Sequence, residues 1–113
     1  MPHKPAKLLE DIFLAIEDLE SFCAGKSFAV FEKDRQLQVA VERELEIIGE
    51  AFVRLKKVDV LLYARIEDAD KIIGLRNILA HGYDILDHGI LWDVVSTKML
   101  PLKQTVEALQ AEA

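Results

Sequence analysis

The sequence predicts an all-α fold, an antiparallel four-helix bundle with a short extra helical turn. Three observations predict it. Apolar residues recur every three or four positions through most of the 113 residues. The strict alternation of a half-buried strand is absent. Cap and stop residues separate the periodic stretches at helix-length intervals.

The first helix is expected from Lys7 to about Ala24, where Leu8, Leu9, Ile12, Phe13, Ile16, Leu19, Phe22 and Cys23 form the apolar stripe. Gly25 is a natural stop, because glycine accepts the left-handed conformation that closes many helices. Ser27 is placed to cap a single turn holding Phe28, Val30 and Phe31. Asp34 is the expected cap of a second long helix from Arg35 to about Lys56. Leu37, Val41, Leu45, Ile48, Phe52 and Leu55 line it, with Ala40, Ile47 and Ala51 alongside. Gly49 inside this helix costs about 1 kcal/mol against alanine, which points to close approach of a neighbouring helix.

Between Val58 and Ile66 the pattern is ambiguous, with Leu61, Leu62 and Tyr63 as a short apolar anchor. A third helix is expected from Glu67-Asp68, where carboxylates suit the positive end of the dipole, to Ala80–Gly82. It carries Ile72, Ile73, Leu75, Ile78 and Leu79. Asp84 to Asp87 form a turn, and Asp87 caps a last helix bearing Ile90, Leu91, Val94, Val95, Met99, Leu102, Val106 and Leu109. Pro101 should kink that helix, since it lacks the backbone donor. Trp92 is expected in the core against the third helix.

Composition narrows the class. At 51% hydrophobic and 30% charged residues, the chain is a folded globule of one domain, residues 1–113. The lone Cys23 rules out an internal disulfide and fits a reducing compartment. No apolar run reaches the roughly 20 residues needed to span a bilayer, and Glu10-Asp11 interrupts any signal-like stretch, so a cytoplasmic protein is expected. A net charge of −6 argues against broad nucleic-acid affinity. Arg54, Lys56 and Lys57, or Arg65, Lys71 and Arg76, could still make a locally positive site, or be ordinary solvated charges.

The chemistry-bearing stretch is Arg76-Asn77-Ile78-Leu79-Ala80-His81-Gly82-Tyr83. A guanidinium can grip a phosphate with paired N–H donors. An imidazole can give or take a proton near neutral pH. A phenol supplies a hydroxyl. Together they are what phosphodiester cleavage without a metal would need. Asn77, four residues before His81, could orient the imidazole. On an ideal helix Arg76 and His81 stand about 140° apart, so they converge only if the helix ends near Gly82 or if two copies share a site. Plainer readings stand beside these. Arg76 could pair with Asp70, Asp84 or Asp93, His81 could answer the helix dipole, and Tyr83 could be a half-buried packing residue. His3, in the terminal tail, and His88, at a helix start, attract no role. No zinc-ligand spacing or Gly-rich phosphate loop is present, and no metal or cofactor is expected.

The segment Ile72-Ile73-Gly74-Leu75, followed by Arg76-Asn77-Ile78-Leu79-Ala80-His81-Gly82-Tyr83-Asp84, resembles the signature of HepT-like proteins, which belong to the HEPN superfamily of small helical domains. Val41–Ala51 resembles a second family block, and Leu91–Val95 with Leu100-Pro101-Leu102 a third. The blocks cover most of the chain in the family's order, as one HepT-like HEPN domain. Many relatives carry a proline, or a proline and tryptophan, where this chain reads Ile66-Glu67-Asp68.

The resemblance implies a homodimeric HEPN-like bundle, open to further assembly, with the Arg76/His81/Tyr83 motif facing a cleft between subunits. It also implies a ribonuclease toxin paired with a minimal nucleotidyltransferase antitoxin, which transfers AMP to the motif tyrosine, here Tyr83. In the reaction so implied, the ribose 2′-hydroxyl of an RNA substrate attacks the adjacent phosphate. His81 is the acid or base, Arg76 stabilises the transition-state charge, and Asn77 supports His81 or a phosphate oxygen. A non-catalytic binding partner or substrate-presenting subunit of a nucleotidyltransferase is the alternative, and a plain helical dimerisation module a third reading. Whether Arg43 or Glu50 of the second helix reaches the cleft stays open.

Overall fold

Residues 4–81 and 87–112 are described by the structure, a computed structural model. Helix α1 spans Pro5–Cys23, starting at a proline whose missing N–H costs nothing in the first turn. Gly25 follows it at φ +70°, the left-handed stop expected of it. Ser27 caps the short α2, Phe28–Lys33, accepting from the Val30 N–H at 3.3 Å. Asp34 caps α3, Arg35–Val58, accepting from the Leu37 N–H at 3.0 Å. Between these two helices, buried Gln38 donates from Nε2 to the carbonyls of Phe31 (2.9 Å) and Glu32 (3.0 Å). The Phe31 carbonyl also accepts from the Asp34 N–H at 3.2 Å, and the Gln38 amide adds a second donor there that fastens the short helix to the long one.

The ambiguous segment contains a further helical turn, α4, Val60–Tyr63, with Asp59 accepting from the Leu62 N–H at 3.0 Å. Asp68 stands before α5 at φ +68°, a conformation Asp tolerates better than most residues, and its carbonyl accepts from the Ile72 N–H. Helix α5 spans Ala69–His81. The last helical unit comprises α6 (His88–Asp93), a π-helical stretch (Val94–Lys98) and α7 (Met99–Glu112). Asp87 caps α6, accepting from the Gly89 N–H at 2.6 Å.

Pro101 sits within the first turn of α7. A proline can offer no N–H to the carbonyl four residues back. The π-helical stretch just before it takes up the irregularity expected as a kink. Residues 82–86 fall outside the described residues, and with them Gly82, Tyr83 and most of the turn expected from Asp84 to Asp87. Elsewhere the helix order expected from periodicity is present, with α4 added to it.

Helix α3 packs against both α1 and α5, and α1 also packs against α7. Helices α3 and α5 run in opposite directions, because Glu50 meets Arg76 while Lys56 meets Asp70. The core is drawn from the expected stripes: Leu8, Leu9, Ile12, Ile16 and Leu19 of α1 face Val41, Leu45, Ile48, Phe52 and Leu55 of α3. Ile72, Leu75, Met99, Leu102 and Val106 complete it. Trp92 is partly buried, packs on the core and lies against Phe31 of α2, with ring centroids 5.2 Å apart. Among the described residues no helix is long and apolar enough to cross a membrane.

Candidate functional site

Helix α5 carries Arg76, Asn77 and His81, and α3 determines how Arg76 is held. The two helices meet at Gly49. A Cβ placed there would stand 2.3 Å from Arg76 Cβ, 2.8 Å from Arg76 Cγ and 3.3 Å from the Ile72 carbonyl. The glycine inside α3 therefore serves helix contact, as its position suggests. The side chain seated against it is the candidate arginine itself.

Glycine at 49 brings the next residue, Glu50, alongside the guanidinium. Arg76 Nη2 donates to Glu50 Oε2 in a short ion pair, and Arg76 Nη1 donates to Asn77 Oδ1 at 2.8 Å. Arg54 approaches the other Glu50 oxygen, with Nε 3.6 Å from Oε1. Asp70, one of the partners suggested by the sequence for Arg76, is engaged elsewhere. It accepts from the Tyr63 hydroxyl and stands 3.7 Å from Lys56 Nζ. Burial, followed by the neighbouring Asp70 carboxylate, pushes the Tyr63 phenol well above the usual tyrosine range.

His81 is the exposed final residue of α5. It lies five positions beyond Arg76, which sets the two about 140° apart around the axis and roughly 7.5 Å apart along it. The structure thus brings Arg76 and Asn77 together directly, while helix geometry turns His81 to a different side. Tyr83 lies outside the described residues.

The Arg76 side chain forms part of the wall of an open groove of about 600 Å³ between α1, α3 and α5. Arg43 and Arg54 line it with Arg76, and so do Asp11, Asp18, Glu44, Glu46 and Glu50. Burial, reinforced by the facing Asp18 of α1, pushes the Glu44 carboxyl above its ordinary value. Asp11 and Asp18 on the α1 wall repel an incoming anion, while Arg43, Arg54 and Arg76 on α3 and α5 attract it. Arg43 lies 3.7 Å from Glu46 and remains largely exposed, an edge pair of the groove. Among the described residues, no group of three or more His, Cys, Asp or Glu side chains is placed to hold a metal ion.

Among the groove-wall residues, Arg43 and Glu50 are left open by the sequence, and Arg54 is legible there only as part of a basic cluster with Lys56 and Lys57. A signal was present: Glu50 follows the helix-interior glycine, and Arg54 follows Glu50 by four, on one face of α3.

Comparison with known proteins gives a consistent picture. The "Ribonuclease HepT-like" family profile matches residues 12–109. A protein of Caldanaerobacter subterraneus subsp. tengcongensis named "Putative RNase" is 36% identical over 109 residues, covering 96% of each chain. The "Probable ribonuclease HepT" of Thermococcus cleftensis is 36% identical over 102 residues, covering 90% of this chain and 92% of its own. A "Putative RNase" of Methanocaldococcus jannaschii is 34% identical over 100 residues, covering 88% of this chain and 82% of its own. No solved structure shows a significant match.

Proposed function

The chain belongs to the HepT-like ribonuclease family, and on that premise we propose that it is a metal-independent endoribonuclease using Arg76 and His81. The observation that carries the reading is the Arg76 guanidinium at the groove wall, with 30% of its side chain exposed, on the helix whose last residue is His81. The ribose 2′-oxygen attacks the adjacent phosphorus. The bond to the next nucleotide's 5′-oxygen breaks, leaving a 2′,3′-cyclic phosphate and a 5′-hydroxyl. His81 removes the 2′-hydroxyl proton or returns one to the leaving oxygen. Arg76 opposes the charge that builds on the phosphoryl oxygens, and Asn77 steadies the guanidinium.

A homodimer, or a larger assembly built from it, supplies what one copy's helix geometry withholds. Two copies meeting across a two-fold axis let Arg76 and His81 of different protomers address one phosphate. Exposed apolar side chains support such a contact: Leu14 in the groove is 48% exposed and Ile78, two residues beyond Arg76, is 46% exposed. The single domain, residues 1–113, then acts as the toxin of a pair. A minimal nucleotidyltransferase antitoxin silences it by moving AMP from ATP onto Tyr83. Two residues from His81 in sequence, that phosphate brings negative charge toward Arg76 and repels RNA.

Purified protein incubated with RNA in excess EDTA tests the reading. Cleavage leaving 2′,3′-cyclic ends is expected, with His81→Ala lowering the rate by about 10²–10⁴-fold while the fold survives. DNA, lacking the 2′-hydroxyl, is expected to stay intact. The carboxylates lining the groove favour one rival, a non-catalytic partner that docks a nucleotidyltransferase. Binding of such an enzyme with no RNA cleavage would establish the rival.

A further inference from the structure

A lone arginine on a helix surface samples many rotamers, and a catalytic guanidinium must be ordered before it can help. Arg76 is restrained at three places. Its stem packs where Gly49 has no side chain, its Nη2 is held by Glu50, and its Nη1 by Asn77 Oδ1. One contact fixes a point, whereas contacts at both terminal nitrogens fix the guanidinium plane. That plane decides which phosphate oxygens the fork can grip.

Glu50 also stands between two cations, with Arg76 on Oε2 and Arg54 on Oε1. The carboxylate is thus held on both oxygens by guanidiniums, which fixes its own orientation toward Arg76.

We infer that Glu50 is a positioning residue for Arg76, fixing the plane of its guanidinium across the α3–α5 contact. The role rests on the ribonuclease reading of Arg76 and extends the machinery from α5 onto α3. Glu50 does not touch substrate; it acts through Arg76.

The test is a double-mutant cycle on the full chain under single-turnover conditions with an RNA oligonucleotide, comparing wild type, Glu50→Gln, Arg76→Ala and the double variant. Glutamine keeps the shape and loses the charge. Glu50→Gln is expected to lower kcat by about 10–100-fold with KM nearly unchanged, the scale of a misplaced catalytic group. In the Arg76→Ala background it should cause no further loss. A merely structural role would lower activity equally in both backgrounds, and a role in blocking the site would raise it in the wild-type background. Either result overturns the inference.

Side-chain NMR separates this from failure of the ribonuclease reading. Slowed guanidinium rotation should give resolved Nη resonances, assigned to Arg76 by their absence in Arg76→Lys, and Glu50→Gln should collapse them. If RNA is not cleaved but the resonances behave so, the ribonuclease reading fails and Glu50 still orders Arg76. Identical arginine spectra in wild type and Glu50→Gln refute the positioning role.

Discussion

Adding one methyl group at Gly49 should disable the site more than it destabilises the fold. In Gly49→Ala the new Cβ would begin 2.3 Å from Arg76 Cβ, so α5 must retreat by about 1.2–1.7 Å to reach ordinary carbon–carbon separation. The clash is with the root of the side chain and with the Ile72 carbonyl nearby, so no flexible tip can swing away. Overpacking of this kind costs about 1–3 kcal/mol. Alanine in a helix regains about 1 kcal/mol over glycine. The net loss is therefore about 0–2 kcal/mol, a fall in Tm of up to roughly 10–15 °C for a domain of this size. The displaced Arg76 loses its place beside Glu50, and a catalytic group shifted by about 1 Å can cost 10²-fold in rate.

Thermal unfolding and RNA cleavage should therefore diverge: a modest drop in Tm beside an approximately 100-fold drop in kcat. Gly74 is the internal control, because a Cβ there meets nothing within 4 Å. Gly74→Ala should keep full activity and gain up to about 1 kcal/mol. If Gly49→Ala gained stability as Gly74→Ala does and kept its kcat, the close contact of α3 with α5 would be refuted.

Other outcomes follow from the same contacts. Gln38→Ala leaves buried carbonyl acceptors at the end of α2 with a partner removed, and should cost about 1–3 kcal/mol in denaturant unfolding. Because burial and then Asp18 raise the folded-state pKa of Glu44, its contribution favours folding below its unfolded value and is lost as pH rises through the folded value. Glu44→Gln should accordingly raise Tm at pH 7, and the gain should shrink toward pH 4 and below, as thermal scans across pH would show. Tyr83→Phe should still cleave RNA but escape silencing by a nucleotidyltransferase and ATP; retained silencing would count against Tyr83 as the modified residue. That variant keeps Tyr63 as its one tyrosine. Since burial raises the Tyr63 pKa, the phenol favours folding below its unfolded value, about 10, and that support is lost as pH rises through the folded value. Absorbance titration should therefore show tyrosinate forming only above that range, together with unfolding.

The helices were legible because their causes are local. Ser27, Asp34 and Asp87 each cap the helix expected of them, and Gly25 adopts the left-handed stop. The stripe Val41, Leu45, Ile48, Phe52 and Leu55 is fully buried. Local patterning fails where a residue's neighbour lies far along the chain. Phe22 and Ile78 belong to apolar stripes by spacing yet remain exposed at 37% and 46%. Nothing in the spacing of one helix says where its partner stops covering it. The turn at α4 was obscured because one short apolar run suits a turn of helix or a loop anchor equally. Asp59 and its bond to the Leu62 N–H resolve it.

Read alone, the sequence determined the all-helical class, most helix boundaries, the helix contact at Gly49 and the residues that could work on a phosphodiester, since periodicity, capping and side-chain chemistry reside in short segments. Tertiary structure alone decided that Arg76 of α5 is seated on Gly49 and paired with Glu50 of α3, rather than with an aspartate nearer in sequence. An ion pair between residues 26 positions apart exists only once two helices pack in one register, and that register is chosen by the whole core.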